Sequence, residues 1–133
     1  MSNLTSKIIY LVDDDEDDRF IVVEAVKEVN QEISVIQLTN GRELLQHFEK
    51  GPAVPGLIVL DINMPEMNGW ETLQAINRNA ILAAFPVIMI STSPDMGLFL
   101  NQTRLDNRRI YTKPASFAGY VSIVRKLVKI FNI

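Results

Sequence analysis

The chain has 133 residues, of which 47% are hydrophobic and 22% charged, and its formal net charge is −3 at pH 7. This composition is typical of one folded globular domain and excludes a disordered or fibrous chain. Cysteine is absent, which excludes disulfides, thiol nucleophiles and cysteine-ligated zinc.

No apolar run reaches the length of a membrane helix, and the N-terminus lacks the apolar core of a signal peptide. No basic block suggests a nucleic-acid footprint. We therefore expect a cytoplasmic protein with neither a membrane nor a nucleic acid among its partners.

Five short apolar runs, most of them rich in β-branched residues, predict five strands. They are Ile8–Val12, Ile33–Leu38, Leu57–Ile62, Val87–Ile90 and Ile110–Thr112. The runs that begin at Ile8, Leu57 and Val87 are continuous rather than alternating, which favours a parallel sheet covered on both faces.

Between the strands, apolar residues recur at steps of three and four, which predicts helices. The helices are expected after the first strand, after an N-cap at Asn40, over Glu71–Asn79, over Asp95–Leu105 and after an N-cap at Ser116. The acidic residues 16–18 would lie in the first turn of the first helix, where the helix dipole favours carboxylates.

Alternating strands and helices predict an α/β three-layer sandwich with right-handed crossovers. We expect a single domain over residues 1–133 and no output domain. In such folds, ligands bind beyond the carboxyl ends of the strands.

Polar residues stand at those ends: Asp13 and Asp14 after the first strand, Asp61 at the third, Ser91 at the fourth and Lys113 at the fifth. Three carboxylates close together repel one another, and their hard oxygens suit Mg²⁺. A carboxylate can attack phosphorus to give an aspartyl phosphate, and a cation and a hydroxyl can stabilise the phosphoryl oxygens.

The chain resembles the receiver domains of two-component response regulators over essentially its whole length. The matching segments are Val12-Asp13-Asp14, the LDINMPEMNG stretch over residues 60–69, Pro86–Ser91 and Thr112-Lys113-Pro114. The resemblance implies the flavodoxin-like strand order 2-1-3-4-5 with five helices.

The resemblance also implies roles for single residues. Asp61 would be the phosphoacceptor, and Ser91 and Lys113 would contact the phosphoryl group. The Mg²⁺ site would comprise Asp14, Asp61 and the backbone carbonyl of Asn63, with Asp13 acting nearby through water. The bond between Lys113 and Pro114 would be cis.

The implied partners are a histidine kinase or a histidine phosphotransfer protein as donor, and an unknown downstream protein. The downstream protein would bind the face formed by the predicted fourth helix, the fifth strand and the last helix. The chain would catalyse its own phosphorylation and dephosphorylation without turning over an external substrate.

Two other functions are compatible with parts of the sequence. One is a receiver-like binding module that phosphorylation does not control. The other is calcium binding, because Asp13, Asp15, Asp17 and Glu24 have the spacing of EF-hand ligands. A strand precedes them, however, and Asp18 stands where the calcium loop requires glycine.

A dehalogenase-type phosphatase is a further rival, but it would need an aspartate at Asn63. The chain also departs from the receiver pattern, in which an aromatic switch residue stands three positions before the lysine. Ile110 occupies that position, and the neighbouring Tyr111 is expected on the opposite face of the strand.

Overall fold

The computed structural model describes residues 7–64, 67–92 and 110–133. Five parallel strands form one sheet in the order β2-β1-β3-β4-β5. They are β1 (Ile8–Val12), β2 (Ser34–Leu38), β3 (Leu57–Asp61), β4 (Val87–Ser91) and β5 (Ile110–Thr112). The predicted fold class and strand order are confirmed, and no strand end differs from its prediction by more than one residue.

The helices in the described part of the chain alternate with the strands. They are α1 (Glu16–Val29), α2 (Gly41–Glu49), α3 (Gly69–Arg78) and α4 (Phe117–Phe131), and a 3-10 turn covers Leu82–Ala84. The helix predicted over Asp95–Leu105 lies outside the described residues. The structure therefore describes only the β5 and α4 parts of the predicted downstream-binding face.

Capping side chains explain where the helices begin. The Asn40 and Ser116 side chains accept hydrogen bonds from the first turns of α2 and α4, as predicted. Helix α3 begins earlier than predicted because Asn68 and Glu71 form a reciprocal capping box.

The sheet separates two hydrophobic cores, because alternate residues of each strand point to opposite faces. Ile9 and Leu11 of β1 pack in the core that α1 and α4 cover. Tyr10 and Val12 pack in the core that α2 and α3 cover. This arrangement buries the central strands on both faces, as their continuous apolar sequences predicted.

The fifth strand has the alternation expected of it. Ile110 lies in the core with α2 and α3, and Tyr111 packs against the core on the other face. The described residues contain no cis peptide bond, so the cis bond expected between Lys113 and Pro114 is wrong for this structure. A trans X–Pro bond is the isomer favoured by about 0.5–1 kcal/mol.

None of the helices in the described ranges is long enough and apolar enough to cross a bilayer.

Candidate functional site

Backbone hydrogen bonds extend the sheet past the strand ends and hold the predicted site residues. The Asp13 N–H donates to the Leu38 carbonyl at 3.0 Å, and the Lys113 N–H donates to the Ser91 carbonyl at 2.8 Å. Directly after β3, the Ile62 N–H donates to the Ile90 carbonyl of β4 at 3.0 Å. The site residues therefore stand on rigid backbone at one edge of the sheet.

Three carboxylates meet at this edge. Asp13, Asp14 and Asp61 each offer an oxygen, and these oxygens lie within 4.8 Å of one another. Asp13 and Asp61 are each only 2% exposed, whereas Asp14 is open to solvent. The cluster is therefore buried on the protein side and accessible to an ion or a small group from the Asp14 side.

The buried carboxylates have perturbed acidities. Burial, together with the charge of Asp13, raises the pKa of Asp61 to about 7, although Lys113 opposes the rise. Burial also raises the pKa of Asp13, against the opposing effects of the Asp15 N–H and Lys113. Without a further cation, full ionisation of both Asp13 and Asp61 is therefore unfavourable.

Lys113 supplies part of the compensation. Its ammonium lies 3.1 Å from Asp13 Oδ2, 3.5 Å from Asp61 Oδ1 and 2.7 Å from Asp18 Oδ2. Burial alone would lower the pKa of Lys113, but the hydrogen bond to Asp18 and the charges of Asp13 and Asp61 outweigh it and raise the pKa. Lys113 is therefore a fixed cation among carboxylates.

Ser91 and Asn63 form the other side of the site. The Ser91 hydroxyl is buried at the end of β4 and accepts a hydrogen bond from Asn63 Nδ2 at 3.3 Å. The same Asn63 amide donates to Thr92 Oγ1 at 3.2 Å, and the Asn63 N–H donates to Asp61 Oδ1 at 3.2 Å. Asn63 thus links Asp61, the predicted phosphoacceptor, to Ser91, which was predicted to contact the phosphoryl group.

The cluster fits a hard divalent cation. Its donors are carboxylate oxygens from two strand ends, without nitrogen or sulfur. Burial raises the pKa of Asp13 and Asp61, and the charge of Asp13 adds to the rise at Asp61, so a bound cation would stabilise their ionised forms. Asp13, Asp14 and Asp61 are the residues that can hold such an ion. The predicted role of the Asn63 carbonyl as a ligand stays a prediction.

The EF-hand spacing does not assemble a calcium loop. Asp13 follows a strand and groups with Asp14 and Asp61. Asp15 is the N-cap of α1, where its side chain accepts hydrogen bonds from the N–H groups of residues 17 and 18. The acids of that run are the start of a helix, as predicted.

Two contacts of this edge were not predicted. Asp18 was interpreted only as a helix-start acid, yet its carboxylate pairs with Lys113. Arg19 donates to the Asp13 carbonyl at 2.7 Å and to Gln37 at 3.2 Å, which ties α1 to the site. The available signal was the position of α1, whose first turn directly follows β1 and so lies at the same edge.

The fold agrees with comparisons to known proteins. A family model described as the response regulator receiver domain matches residues 9–125. The chain therefore belongs to the response regulator receiver domain family, which confirms the resemblance inferred from the sequence.

Among curated relatives, the response regulator Rcp1 of Synechocystis sp. is 33% identical over 93 residues, covering 65% of this chain and 63% of its own. The chemotaxis protein CheY of Thermotoga maritima is 24% identical over 123 residues, covering 92% and 98%. The sensor histidine kinase CheAY of Helicobacter pylori is 24% identical, but the match spans only 15% of its length.

Two solved structures are similar over most of both chains. The phosphorylated cyanobacterial phytochrome response regulator RcpA has a TM-score of 0.83 and 26% identity, covering 96% of this chain and 95% of its own. The Mn²⁺-bound form of the response regulator Rcp1 has a TM-score of 0.77 and 27% identity, covering 92% of each chain.

Proposed function

We propose that this protein accepts a phosphoryl group on Asp61 in a Mg²⁺-dependent reaction and signals through a changed binding surface. The observation that carries the proposal is the placement of the Asp61 carboxylate. It is buried beside two other carboxylates, its pKa is raised to about 7, and Lys113 lies 3.5 Å away.

The chemistry follows from these groups. An Asp61 oxygen would attack phosphorus as the bond to the donor's leaving group breaks, which gives an acyl phosphate. Lys113 would balance negative charge on the phosphoryl oxygens, and its neighbouring carboxylates keep it protonated. A bound Mg²⁺ would supply the remaining positive charge, held by Asp13, Asp14 and Asp61 with the Asn63 carbonyl.

Ser91 would report the new group. Its hydroxyl, which accepts from the Asn63 amide, would donate to a phosphoryl oxygen, and this new bond would draw Ser91 at the end of β4 toward Asp61. Because Asn63 contacts both Asp61 and Ser91, it already links the proposed phosphoacceptor to the hydroxyl that would sense the phosphoryl group.

The donor we propose is a phosphohistidine on a histidine kinase or a histidine phosphotransfer protein, and the output is a downstream protein bound by the altered face. The similar proteins include a sensor histidine kinase and the response regulators Rcp1 and RcpA. We further propose a single cytoplasmic receiver that also dephosphorylates itself and turns over no external substrate.

The test is phosphorylation by acetyl phosphate, followed by intact mass. We expect the wild type to gain one phosphoryl group with Mg²⁺ and none with EDTA, and Asp61→Asn to gain none in either. Asp17→Asn, which removes an exposed acid of α1, is the matched control and should react like the wild type. No mass gain in the wild type, with no spectral response to beryllofluoride, would instead favour the binding-module alternative.

A further inference from the structure

Lys113 is held most closely by a residue that the proposed chemistry does not use. Its ammonium lies 2.7 Å from Asp18 Oδ2, compared with 3.1 Å to Asp13 and 3.5 Å to Asp61. Only the contacts with Asp18 and Asp13 are hydrogen bonds. The ammonium is therefore hydrogen-bonded to two carboxylates and only approaches the acid that would carry the phosphoryl group.

Asp18 stands apart from the carboxylate cluster. The grouped acids Asp13, Asp14 and Asp61 come from the ends of β1 and β3, whereas Asp18 lies in the first turn of α1. The Asp15 cap, which accepts the Asp18 N–H at 3.2 Å, fixes the backbone of that turn. A rigid helix start thus holds the Asp18 carboxylate against the Lys113 side chain.

The pair is well shielded on the lysine side. The Lys113 side chain is 9% exposed and that of Asp18 is 26% exposed. Charge-assisted hydrogen bonds of this length are stronger than neutral ones, and partial burial reduces their screening by salt. Drawing the ammonium toward a group on Asp61 would therefore stretch or break this contact.

We propose that Asp18 is a positioning residue that holds Lys113 in its unphosphorylated arrangement and opposes its engagement with a phosphoryl group. The inference rests on the proposed function and extends it. Asp18 thereby disfavours the conformation in which Lys113 contacts a phosphoryl group. Its removal would shift the conformational equilibrium toward that conformation.

The test is the affinity for beryllofluoride, a phosphoryl mimic, at saturating Mg²⁺, measured by titration of amide NMR spectra. Three variants are compared with the wild type: Asp18→Asn, Asp18→Glu and Asp17→Asn. Asp17→Asn is the matched control because it removes one charge from the same helical turn, and Asp17 has no contact with Lys113 among the described ion pairs.

We expect Asp18→Asn to bind beryllofluoride about threefold to tenfold more tightly than Asp17→Asn. Asp18→Glu keeps the charge on a longer side chain and should bind within about twofold of the wild type. The amide spectra also show directly whether each variant is folded, and Asp18→Glu tests the charge if Asp18→Asn is not.

Equal affinities for Asp18→Asn and Asp17→Asn would overturn the inference, because Asp18 would then only tie α1 to β5. Weaker binding by Asp18→Asn would also overturn it, since Asp18 would then support Lys113 in the bound state. If Asp18→Asn is unfolded, Asp18→Glu replaces it in the comparison with Asp17→Asn. Equal binding by these two variants then supports the inference, and weaker binding by Asp18→Glu counts against it. Failure of the wild type itself to bind beryllofluoride would sink the proposed function and this inference with it.

Discussion

Two regions of this sheet bury polar groups in different surroundings: one gives its polar group a hydrogen-bond acceptor, and the other brings like charges together. Toward the amino ends of β3 and β4, the Tyr10 ring packs against Phe48 and Phe85, and its hydroxyl donates to the Val54 carbonyl at 2.6 Å. At the carboxyl edge, Asp61 and Asp13 are equally buried but face one another as carboxylates. The aromatic region stabilises the fold, whereas the acidic edge contains buried carboxylates whose repulsion a bound cation would reduce.

The comparison predicts its largest effect at Tyr10. Tyr10→Ala removes a side chain that is 1% exposed and leaves a cavity among Phe48 and Phe85, so we expect a loss of about 3–5 kcal/mol in the free energy of unfolding. Urea denaturation measures it. His47→Ala, at the exposed rim of the same ring contact, should cost less than about 1 kcal/mol. Similar losses for the two variants would contradict the stabilising role of the buried ring.

Gly69 tests the rigidity of the acidic edge. A Cβ at this position would lie 2.6 Å from the Asp61 carbonyl oxygen and 2.7 Å from Ile62 Cα, both of which are backbone atoms. Gly69→Ala must therefore shift the chain beside Asp61, and we expect a loss of about 2–3 kcal/mol by urea denaturation.

Gly51 provides the control for that substitution, because a Cβ there meets no atom within 4 Å. Gly51→Ala should change the free energy of unfolding by less than about 1 kcal/mol. If Gly69→Ala were equally neutral, the backbone at this edge would be more adaptable than the close approach of Gly69 to Asp61 indicates.

Asp61→Asn should increase the free energy of unfolding, whereas Tyr10→Ala and Gly69→Ala decrease it. The pKa of Asp61 rises from 3.8 to about 7 on folding, so its contribution to stability is full below pH 3.8 and is lost as the pH rises through about 7. Above pH 7 the ionised wild type carries a penalty that the neutral amide lacks. We expect Asp61→Asn without Mg²⁺ to be more stable by about 1–2 kcal/mol at pH 8, and the gain to shrink toward pH 5.

Thermal and urea unfolding over this pH range check the prediction, and saturating Mg²⁺ should narrow the difference at pH 8 by stabilising the wild type. Glu32→Gln, an exposed acid paired with Lys7, should show no such pH-dependent gain. A less stable Asp61→Asn at pH 8 would mean that Lys113 and the Asn63 N–H already compensate the carboxylate.

Substitution of Asp15 should have the smallest effect on stability. It distinguishes an acid that caps a helix from Asp61, an acid buried in the carboxylate cluster. Its carboxylate caps α1 by accepting the N–H groups of Asp17 and Asp18. Asp15→Ala should therefore destabilise the protein by about 1 kcal/mol in urea unfolding, opposite in sign to Asp61→Asn. Asp15→Asn, which can still cap, should stay within about 0.5 kcal/mol of the wild type.

The sequence predicted the fold well because the strands repeat one simple pattern. Continuous apolar runs marked the central strands, and Asn40 and Ser116 marked two helix starts, since these signals depend on neighbouring residues. Helix α3 was placed too late because the apolar pattern begins after the capping box of Asn68 and Glu71.

The site was predicted only in part. The meeting of Asp13, Asp14 and Asp61 followed from parallel strands, whose carboxyl ends share one edge. The pairing of Lys113 with Asp18 spans 95 positions and depends on how α1 leaves that edge, which local patterns do not encode. The Lys113–Pro114 isomer was wrong because it was inferred from resemblance alone.

The most direct test of the account is to locate the phosphoryl group chemically. An acyl phosphate on aspartate is reduced by borohydride to homoserine, so wild-type protein treated with acetyl phosphate and Mg²⁺ can be reduced, digested and sequenced by mass spectrometry. We expect homoserine at position 61 and unmodified aspartate at positions 13, 14 and 18. Reduction at one of those other aspartates, with Asp61 intact, would contradict the assignment of Asp61 as the phosphoacceptor.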